Sequence, residues 1–539
     1  MLKKYFVIIA LTLITVITAT LHFIRPGVPC LNADDVSFGY NAYSIAMTGK
    51  DEYGTPFPAR FKAFGENKLP VLAYLAAPFT KILGTSDLAI RLPLHLVGIL
   101  FPLVMFAFAQ QLLKRRSIAV IAALLTGVSG WIQITTRHSH EVSLSAFWIV
   151  IALTLFVRFF EEKRTSLFLW FSVANGLSLF TYHLGKLIQP FLMAWFIVFT
   201  WFNHATKVKR WVMYGVIFAA PLLLFTYTEL RTPTNRIGNL VFYNNAGFTL
   251  DIEQRRGEDN NRLLNNKLTQ GVQVVARNYF TYLSPSYLSF TGDDNPRFWY
   301  LGMSPITPTE YLLLLIGLYY LFKTKQKYRW FLVSLLLWSP ASAALAWAGT
   351  SMTRNFLSIV PILTITSYGV YELYRELRSS DWGPVVACAL LGSFAFFQIT
   401  TWDFCFNHYP KRAMVIRATE CGYTELAQYV RANYSHFKKF YITKEHGQPY
   451  AHLLYNLQYD PATYQPQSQL TAPDKYGFGQ VEGFDKFIFH IPNTLSEKGV
   501  VYIGYPEELR NRPDFNSSDE QHLKTIRVGS ETIFSILER

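Results

Sequence analysis

The chain has 539 residues, of which 51% are hydrophobic and only 16% are charged, whereas soluble domains carry about 25% charged residues. This composition excludes a purely soluble protein and indicates a chain that is partly membrane and partly water-soluble. The net charge of +14 does not point to nucleic acid, because the basic residues form short clusters between apolar runs, without a stripe interleaved with aromatic rings. Membrane topology and contact with anionic lipid head groups explain the charge better.

The first predicted element is an apolar run from Tyr5 to Ile24 that follows Lys3 and Lys4. A cleaved signal peptide is the alternative, but the run is long enough to span a bilayer and lacks a small-residue cleavage site, so we expect an uncleaved first helix. Each later apolar block is near the ~20 residues that cross the hydrocarbon. These blocks lie at 92–113, 117–135, 142–160, 167–182, 187–203, 211–229, 309–322, 329–348, 355–374 and 383–401.

Loop charge gives an independent check on these eleven predicted spans. With the N-terminus inside, every cytoplasmic turn is short and basic, as the positive-inside bias requires. The turns are 114–116, 161–164, 207–210, 323–329 and 375–378. Losing or adding one span would move several of these clusters to the other side. The predicted topology is therefore N-inside and C-outside.

Three large segments are then predicted outside: a first loop at 25–91, a second at 230–308 and a C-terminal region. We accordingly divide the chain into a multi-pass transmembrane domain, 1–401, and an extracytoplasmic α/β domain, 402–539. Hydrophobic periodicity predicts the elements of the latter. They are a helix at 424–434, strands at 440–443, 486–491 and 500–503, and a closing hairpin of 525–528 and 532–536 around Gly529.

The four cysteines are Cys30, Cys388, Cys405 and Cys421. They fit neither a zinc spacing nor a disulfide framework. Cys405 and Cys421 would pair if their segment lies in an oxidising compartment, and the sequence leaves this pairing open.

The first loop begins with two carboxylates, Asp34 and Asp35, directly before a predicted helix from Val36 to Thr48 that ends at Gly49. One interpretation is structural, since Asp favours helix starts and caps them. The other is chemical, since a carboxylate at the membrane surface could act as a general base for an acceptor hydroxyl. Both interpretations stay open on these residues alone.

The apolar stretch 69–83 follows in the same loop and is too short to span, so we expect an interfacial helix lying along the membrane. Lys68 stands at its start. It could simply extend its ammonium group to the interface, or it could neutralise a lipid phosphate held there. A lone lysine does not decide between the two.

Three further polar segments lie at predicted outer helix ends. The turn TTRHSHEVSLS holds Arg137, His138, His140 and Glu141, which indicates a hydrated cap of two helices, and as a metal site this single cluster is weak. The turn TYHLGKLIQP holds His183 and Lys186, and its Gly185 allows the backbone to pass closely. Arg354 lies at the outer end of the tenth span.

Each of these features is readily explained as structural, but together they arrive at one membrane face from five separate segments. The basic members suit a phosphate or diphosphate. They are Lys68, Arg137, Lys186 and Arg354, and the carboxylates are Asp34, Asp35 and Glu141. This inventory suits a reaction in which a hydroxyl attacks and a phosphate leaves.

The first loop, DDVSFGYNAYSIAMTGKDEYGTPFP with FGENKLPVLAYL and SDLAIRLP, resembles the protein O-mannosyltransferase-like glycosyltransferases of the GT-C fold. That superfamily includes the bacterial aminoarabinose transferase of lipid A. The resemblance continues through SLFTYHLGKLIQP, TPTNRIGNLVFYNN, FTGDDNPRFWYLGM and GTSMTRNFLSIVPIL, and covers roughly residues 1–400. It implies an α-helical integral membrane protein of about eleven spans with a C-terminal extracytoplasmic α/β domain.

The resemblance also implies roles for individual residues. The family's acidic pair is usually Asp-Glu with the Asp as catalytic base, and Asp34 matches that Asp while Asp35 stands where Glu is usual. The family's Lys-Pro-Pro appears as Lys68–Leu69–Pro70, so only the lysine carries over, as a phosphate ligand. The remaining implied substrate-binding residues are Arg137, His138, Glu141, His183, Lys186 and Arg354.

The implied function is an inverting transfer of one sugar from a polyprenyl-phosphate carrier to an acceptor hydroxyl at the outer face of a bacterial plasma membrane. The main alternative is a non-enzymatic flippase or transporter of lipid-linked sugars, which would place its charged residues near the bilayer midplane. A third is an assembly protein that uses the C-terminal domain for contacts. The sugar, a protein, lipid or polysaccharide acceptor, and participation of a divalent metal are all left open by the sequence.

Overall fold

The computed structural model describes residues 2–25, 27–64, 66–202, 208–232, 241–298, 303–346, 349–472, 479 and 481–539. It divides into two compact units. The first comprises Met1–Arg25 and Leu94–Phe406, and the second comprises Pro26–Pro93 and Asn407–Arg539. The first loop and the C-terminal region, which lie far apart in sequence, thus fold together in the second unit.

Helices account for most of the described residues. In chain order they are α1 (Leu2–Phe23), α2 (Ala33–Thr48), α3 (Val71–Leu83), α4 (Asp87–Leu113), α5 (Arg116–Val128), α6 (Gly130–Arg137), α7 (Glu141–Glu162), α8 (Thr165–Leu179), α9 (Leu184–Leu187), α10 (Gln189–Trp201), α11 (Val208–Arg231), α12 (Ala246–Asp259), α13 (Lys267–Leu283), α14 (Pro308–Lys323), α15 (Arg329–Trp338), α16 (Ala341–Ala344), α17 (Ile359–Leu377), α18 (Gly383–Asp403), α19 (Ala413–Ala418), α20 (Tyr423–Asn433), α21 (Pro449–Asn456), α22 (Pro461–Tyr464), α23 (Pro506–Arg510) and α24 (Ser517–His522).

The first unit is helical, and its apolar helices confirm a multi-pass membrane protein. Within the described residues seven helices are long and apolar enough to cross a bilayer, or eight if α5 and α6, which meet at a bend of 50°, form one broken span. The count of eleven stays a prediction, because several blocks form helices shorter than a full span, such as α8 with 15 residues, α14 with 16 and α15 with 10. Lys207, which begins one of the predicted basic turns, lies outside the described residues.

Close helix packing in the first unit depends on two glycines between α14 and α17. A Cβ at Gly317 would lie 2.2 Å from the Ile365 carbonyl oxygen, and one at Gly369 would lie 2.3 Å from that of Leu313. Small residues let helix backbones approach in this way. The contact fixes α17, which begins just after the loop that carries Arg354.

The second unit contains a six-stranded mixed sheet and a separate hairpin. The strands are β1 (Phe61–Ala63), β2 (Glu66–Lys68), β3 (Lys439–Ile442), β4 (Gly483–Phe484), β5 (Phe487–Ile488), β6 (Val500–Gly504), β7 (Lys524–Val528) and β8 (Glu531–Glu538). The sheet order is β4-β5-β3-β6-β8-β7, with β3 parallel to both neighbours and β8 antiparallel to β6 and β7. The predicted α/β character and the hairpin around Gly529 are confirmed. The predicted strand 486–491 is shorter in the structure and comprises only the two residues of β5.

Helix α2 is packed against the C-terminal region within this unit. A Cβ at Gly39 would lie only 2.5 Å from the Tyr455 ring of α21, so glycine is required for this approach. The Tyr40 hydroxyl donates to the Tyr459 carbonyl at 3.1 Å. The predicted helix 36–48 is confirmed and starts three residues earlier, because Asn32 caps it.

The disulfide of the protein joins Cys30 to Cys421 across 391 residues of sequence. The pairing of Cys405 with Cys421, which the sequence left open, is therefore wrong, since Cys405 and Cys388 are free thiols. Sequence spacing could not reveal the correct partner, because only the packing of the first loop against the C-terminal region brings Cys30 and Cys421 together.

Candidate active site

The start of α2 is held by a complete capping box. Asn32, with extended backbone angles, is the N-cap, and its Oδ1 accepts from the Asp34 and Asp35 backbone N–H groups at 2.9 and 3.2 Å. In return the Asp35 carboxylate accepts from the Asn32 N–H at 3.1 Å. The helix cap that the sequence predicted for the aspartates is thus formed by Asn32 together with the buried Asp35. Asp34 is left with its side chain 43% exposed.

Lys68 and Asp34 form an ion pair inside the second unit. The Lys68 ammonium lies 2.7 Å from Asp34 Oδ1, and its side chain is only 5% exposed. The Phe38 and Phe64 rings flank the ammonium at 4.7 and 4.8 Å, which stabilises the cation. Lys68 at the end of β2 therefore does not extend into the solvent; it lies beside the carboxylate predicted to be the base.

A further carboxylate of this unit, Glu52, was not singled out in the sequence. It is fully buried, and Asn41 Nδ2 donates to its Oε1 at 3.3 Å. Burial raises the pKa of Glu52 to about 8, with the Asn41 hydrogen bond and Lys68 opposing and Asp51 adding to the increase. Glu52 is therefore mostly a neutral acid at pH 7, chiefly because of its burial, which the sequence does not reveal.

The raised pKa of Glu52 predicts a pH-dependent stability. Because the unfolded chain ionises near the ordinary pKa of 4.5 and the folded chain near 8, stability is full below about pH 4.5 and is lost as the pH rises toward 8. Across this range the free energy of unfolding should fall by roughly several kcal/mol at most, and Glu52→Gln should remove most of this fall. The thermal midpoint in detergent between pH 5 and 8.5 measures it. The exposed Glu482→Gln is the matched control, and an unchanged slope in Glu52→Gln would contradict the prediction.

In the first unit Arg137 closes the end of α1. Its guanidinium donates to the carbonyls of Leu21 at 3.0 Å, His22 at 3.1 Å and Arg25 at 2.7 Å, and lies 5.1 Å from the Phe406 ring centre. The last carbonyls of a helix lack intrahelical donors, so this contact stabilises the terminus. Arg137 is thus fixed at one end of α6, and phosphate binding by it stays a prediction.

The histidines of the same turn meet an aromatic residue from the second predicted loop. His138 and His140 lie 5.3 and 5.2 Å from the Phe298 ring, and His140 lies 5.3 Å from Tyr182. His140 also caps α7 through the Val142 N–H, next to Glu141 at 3.8 Å. Phe298 was not singled out in the sequence, although it lies in the motif FTGDDNPRFWYLGM.

Lys186 is paired with a glutamate that the sequence did not single out. Its ammonium lies 3.1 Å from the Glu229 carboxylate of α11 and 4.9 Å from the Phe225 ring. The turn before it is tight, because a Cβ at Gly185 would lie 2.4 Å from the Ser178 carbonyl oxygen. The predicted close backbone passage at Gly185 is confirmed. His183 lies at the start of the same short helix, α9.

Arg354 lies on a loop that two aspartates anchor. The Asp293 carboxylate accepts from the Met352 N–H at 2.5 Å, and that of Asp294 accepts from the Thr350 N–H at 2.8 Å. Burial raises the pKa of Asp293 to about 6, and the nearby Arg354 charge opposes the increase. Both aspartates come from the motif FTGDDNPRFWYLGM, whose residues 299–302 lie outside the described residues.

The site residues thus fall into two groups. Asp34, Asp35 and Lys68 lie together in the second unit, and the first unit holds the others. Within the described residues, no group of three or more His, Cys, Asp and Glu side chains is arranged to hold a metal ion.

Comparison with solved structures identifies the fold. ArnT from Cupriavidus metallidurans in the apo state matches with a TM-score of 0.52 and 11% identity over 100% of this chain and 98% of that one. The same protein bound to undecaprenyl phosphate matches with a TM-score of 0.50 and 10% identity, over 99% of this chain and 98% of that one. An Archaeoglobus fulgidus oligosaccharyltransferase in complex with zinc and sulfate matches with a TM-score of 0.51 and 13% identity, over 83% of this chain and 61% of that one. The chain therefore spans less than two thirds of the archaeal protein's length.

These matches show that the chain has the GT-C fold of membrane glycosyltransferases, as the sequence resemblance implied. More particularly, residues 67–226 match the dolichyl-phosphate-mannose-protein mannosyltransferase family. This segment contains six of the predicted site residues, namely Lys68, Arg137, His138, Glu141, His183 and Lys186. No curated protein sequence matches the chain significantly.

Proposed function

We propose that the protein is a glycosyltransferase that moves a single sugar from a polyprenyl-phosphate carrier to an acceptor hydroxyl at the outer membrane face. The observation that supports this most directly is the Asp34–Lys68 pair at the start of α2. A half-exposed carboxylate is the group a general base requires, and the buried ammonium 2.7 Å away is a suitable phosphate ligand. The GT-C fold and the match over residues 67–226 agree with this chemistry.

The proposed step is a displacement at the anomeric carbon. The acceptor oxygen forms a bond to that carbon while its proton passes to the Asp34 carboxylate. The bond between the anomeric carbon and the phosphate oxygen breaks, and polyprenyl phosphate leaves with the electron pair. Attack from the face opposite the leaving group inverts the anomeric configuration.

In this scheme the donor phosphate competes with Asp34 for Lys68. A phosphate that draws the ammonium toward itself weakens the ion pair and makes the carboxylate a better acceptor for a proton. The cations proposed to support the leaving phosphate are Arg137, Lys186 and Arg354, and the proposed further substrate contacts are Asp35, His138, Glu141 and His183. A divalent metal is not required by this scheme.

The disulfide supports an extracytoplasmic position for the second unit. Disulfides persist in oxidising compartments, and Cys30–Cys421 lies within that unit. Together with the basic inner turns, it supports our proposal that the N-terminus lies in the cytoplasm and that the reaction takes place at the outer face of a plasma membrane. The proposed boundary between the membrane domain and the C-terminal domain is 401/402.

Lys68 provides the first test of the proposal. Lys68→Met keeps a long side chain but removes the charge, so binding of undecaprenyl phosphate by the purified protein should weaken by about 10- to 100-fold, the effect of losing one charge-assisted hydrogen bond. Lys62→Met, on the exposed face of β1 in the same hairpin, should bind normally. Equal binding by both variants would exclude Lys68 as a phosphate ligand.

Purified protein also distinguishes the proposed enzyme from the alternative, a transporter. Detergent-solubilised protein has no sealed compartment, so any sugar it transfers to an acceptor cannot be the result of transport. Undecaprenyl-phosphate mannose and undecaprenyl-phosphate aminoarabinose are suitable donors, with the membrane and envelope fraction of cells lacking the gene as acceptor source. Mass spectrometry of the glycans lost in those cells names the acceptor.

A further inference from the structure

The turn between α19 and α20, in the C-terminal region, contacts the first turn of α2. Its Glu420 side chain is 7% exposed, and one carboxylate oxygen accepts from the Ala33 backbone N–H at 3.0 Å and contacts His452 Nε2 at 2.8 Å. Ala33 directly precedes Asp34. A carboxylate from 387 residues further along the chain therefore binds the helix end that carries the proposed base.

The surroundings hold Glu420 in one position. Its backbone is left-handed, with φ 52°. The next residue, Cys421, forms the disulfide with Cys30, which lies two residues before the N-cap of α2. A Cβ at Gly447, where φ is 77°, would lie 2.4 Å from the Glu420 carboxyl carbon, so only glycine fits there. The His452 ring is stacked on Tyr423 with 4.0 Å between centres. Glu420 is thus constrained by its backbone, a disulfide and a stacked histidine.

The contact completes the hydrogen bonding of the α2 terminus. The first N–H groups of a helix have no intrahelical acceptor. Here Asn32 accepts from Asp34 and Asp35, and Glu420 accepts from Ala33. A carboxylate at this end is also favoured by the helix dipole. The backbone on both sides of Asp34 is consequently fixed, which sets the direction in which its side chain leaves the helix.

We propose that Glu420 is a positioning residue, through which the C-terminal region orients Asp34 toward Lys68 and the reacting hydroxyl. The inference rests on the proposed role of Asp34. It assigns the C-terminal region a part in the reaction in addition to any part in acceptor binding. Misplacing a catalytic group by about 1 Å can lower a rate about 100-fold, so a contact this close to the base is expected to affect the rate constant.

The test compares Glu420→Ala with Glu425→Ala, an exposed glutamate on α20. With whichever undecaprenyl-phosphate donor the wild type uses, Glu420→Ala should lower kcat by about 10- to 100-fold and leave the donor KM and the binding of undecaprenyl phosphate unchanged. Glu420→Gln, whose amide oxygen still accepts from Ala33, should recover most of the lost kcat. Glu425→Ala should behave as wild type.

The split between kcat and KM distinguishes positioning from a general structural role. A wild-type kcat in Glu420→Ala, or a parallel loss of kcat and undecaprenyl phosphate binding, overturns the inference. If Glu420→Ala does not fold, Glu420→Asp, which keeps the charge on a shorter side chain, carries the same expectation. The proposed function fails separately, through full activity of Asp34→Asn, whereas an inactive Asp34→Asn beside a fully active Glu420→Ala refutes only the positioning role.

Discussion

Asp34→Asn should lower sugar transfer by about 10²- to 10⁴-fold, the usual contribution of a positioned general base. The substitution keeps the size of the side chain and removes its ability to accept the hydroxyl proton. The capping box does not use the Asp34 carboxylate, because Asn32 and Asp35 supply its two side chains, so the fold should be retained. The measurement is the initial rate of transfer by purified protein, with insertion and thermal midpoint checked in parallel.

Two comparisons make this result specific. Asp34→Asn should bind undecaprenyl phosphate at least as tightly as wild type, because Lys68 loses a competing carboxylate. Asp35→Asn, besides losing its proposed substrate contact, should lower stability by about 1 kcal/mol because its carboxylate belongs to the capping box, whereas Asp34→Asn should not show this loss of stability. Wild-type transfer by a correctly folded Asp34→Asn protein would exclude Asp34 as the base.

Loss of the Cys30–Cys421 disulfide should have the second large effect. Either Cys30→Ser or Cys421→Ser should destabilise the second unit by about 2–5 kcal/mol, because the disulfide lowers the conformational entropy of the unfolded chain. Transfer should fall as well, because both cysteines lie beside the α2 terminus and the Glu420 turn. Hydrogen exchange of the backbone amides of the second unit, followed at increasing denaturant with and without reductant, measures the change.

The free thiols provide the matched controls for this experiment. Cys388→Ser and Cys405→Ser each remove a cysteine without breaking the bond, so their proteins should keep the sensitivity of the wild type to reductant. The Cys30 and Cys421 variants should lose that sensitivity. If reductant destabilised the Cys30→Ser protein as strongly as the wild type, another pair of cysteines would have to form the bond.

Much of the fold could be predicted because its signals are local. The apolar runs, the basic turns and the alternating strands each depend on a few neighbouring residues, and they predicted the multi-pass membrane class, the hairpin around Gly529 and the helix that ends at Gly49. The span count was less accessible, since the single apolar run 329–348 forms two short helices, α15 and α16, with a break at residues 339–340. Turns and bends shorten a helix without changing hydropathy.

The site could be predicted only in part for the same reason. Asp34, Lys68, Lys186 and Arg354 were singled out as site residues through motifs, but the contacts that they make in the structure were not predicted. Glu229, beside Lys186, and Asp293, which anchors the Arg354 loop, come from other segments. Burial of Glu52 and its effect on the pKa also depend on residues distant in sequence.

The sequence by itself thus determined the membrane class, the main helices and strands and the residues able to carry the chemistry, since composition and short-range periodicity depend on hydropathy and backbone preference. Only the tertiary structure decided that Lys68 pairs with Asp34, that Cys30 is bound to Cys421, and that Glu420 closes the start of α2. Such contacts join residues dozens to hundreds of positions apart. They form because packing and burial bring particular groups together, and no local pattern encodes that outcome.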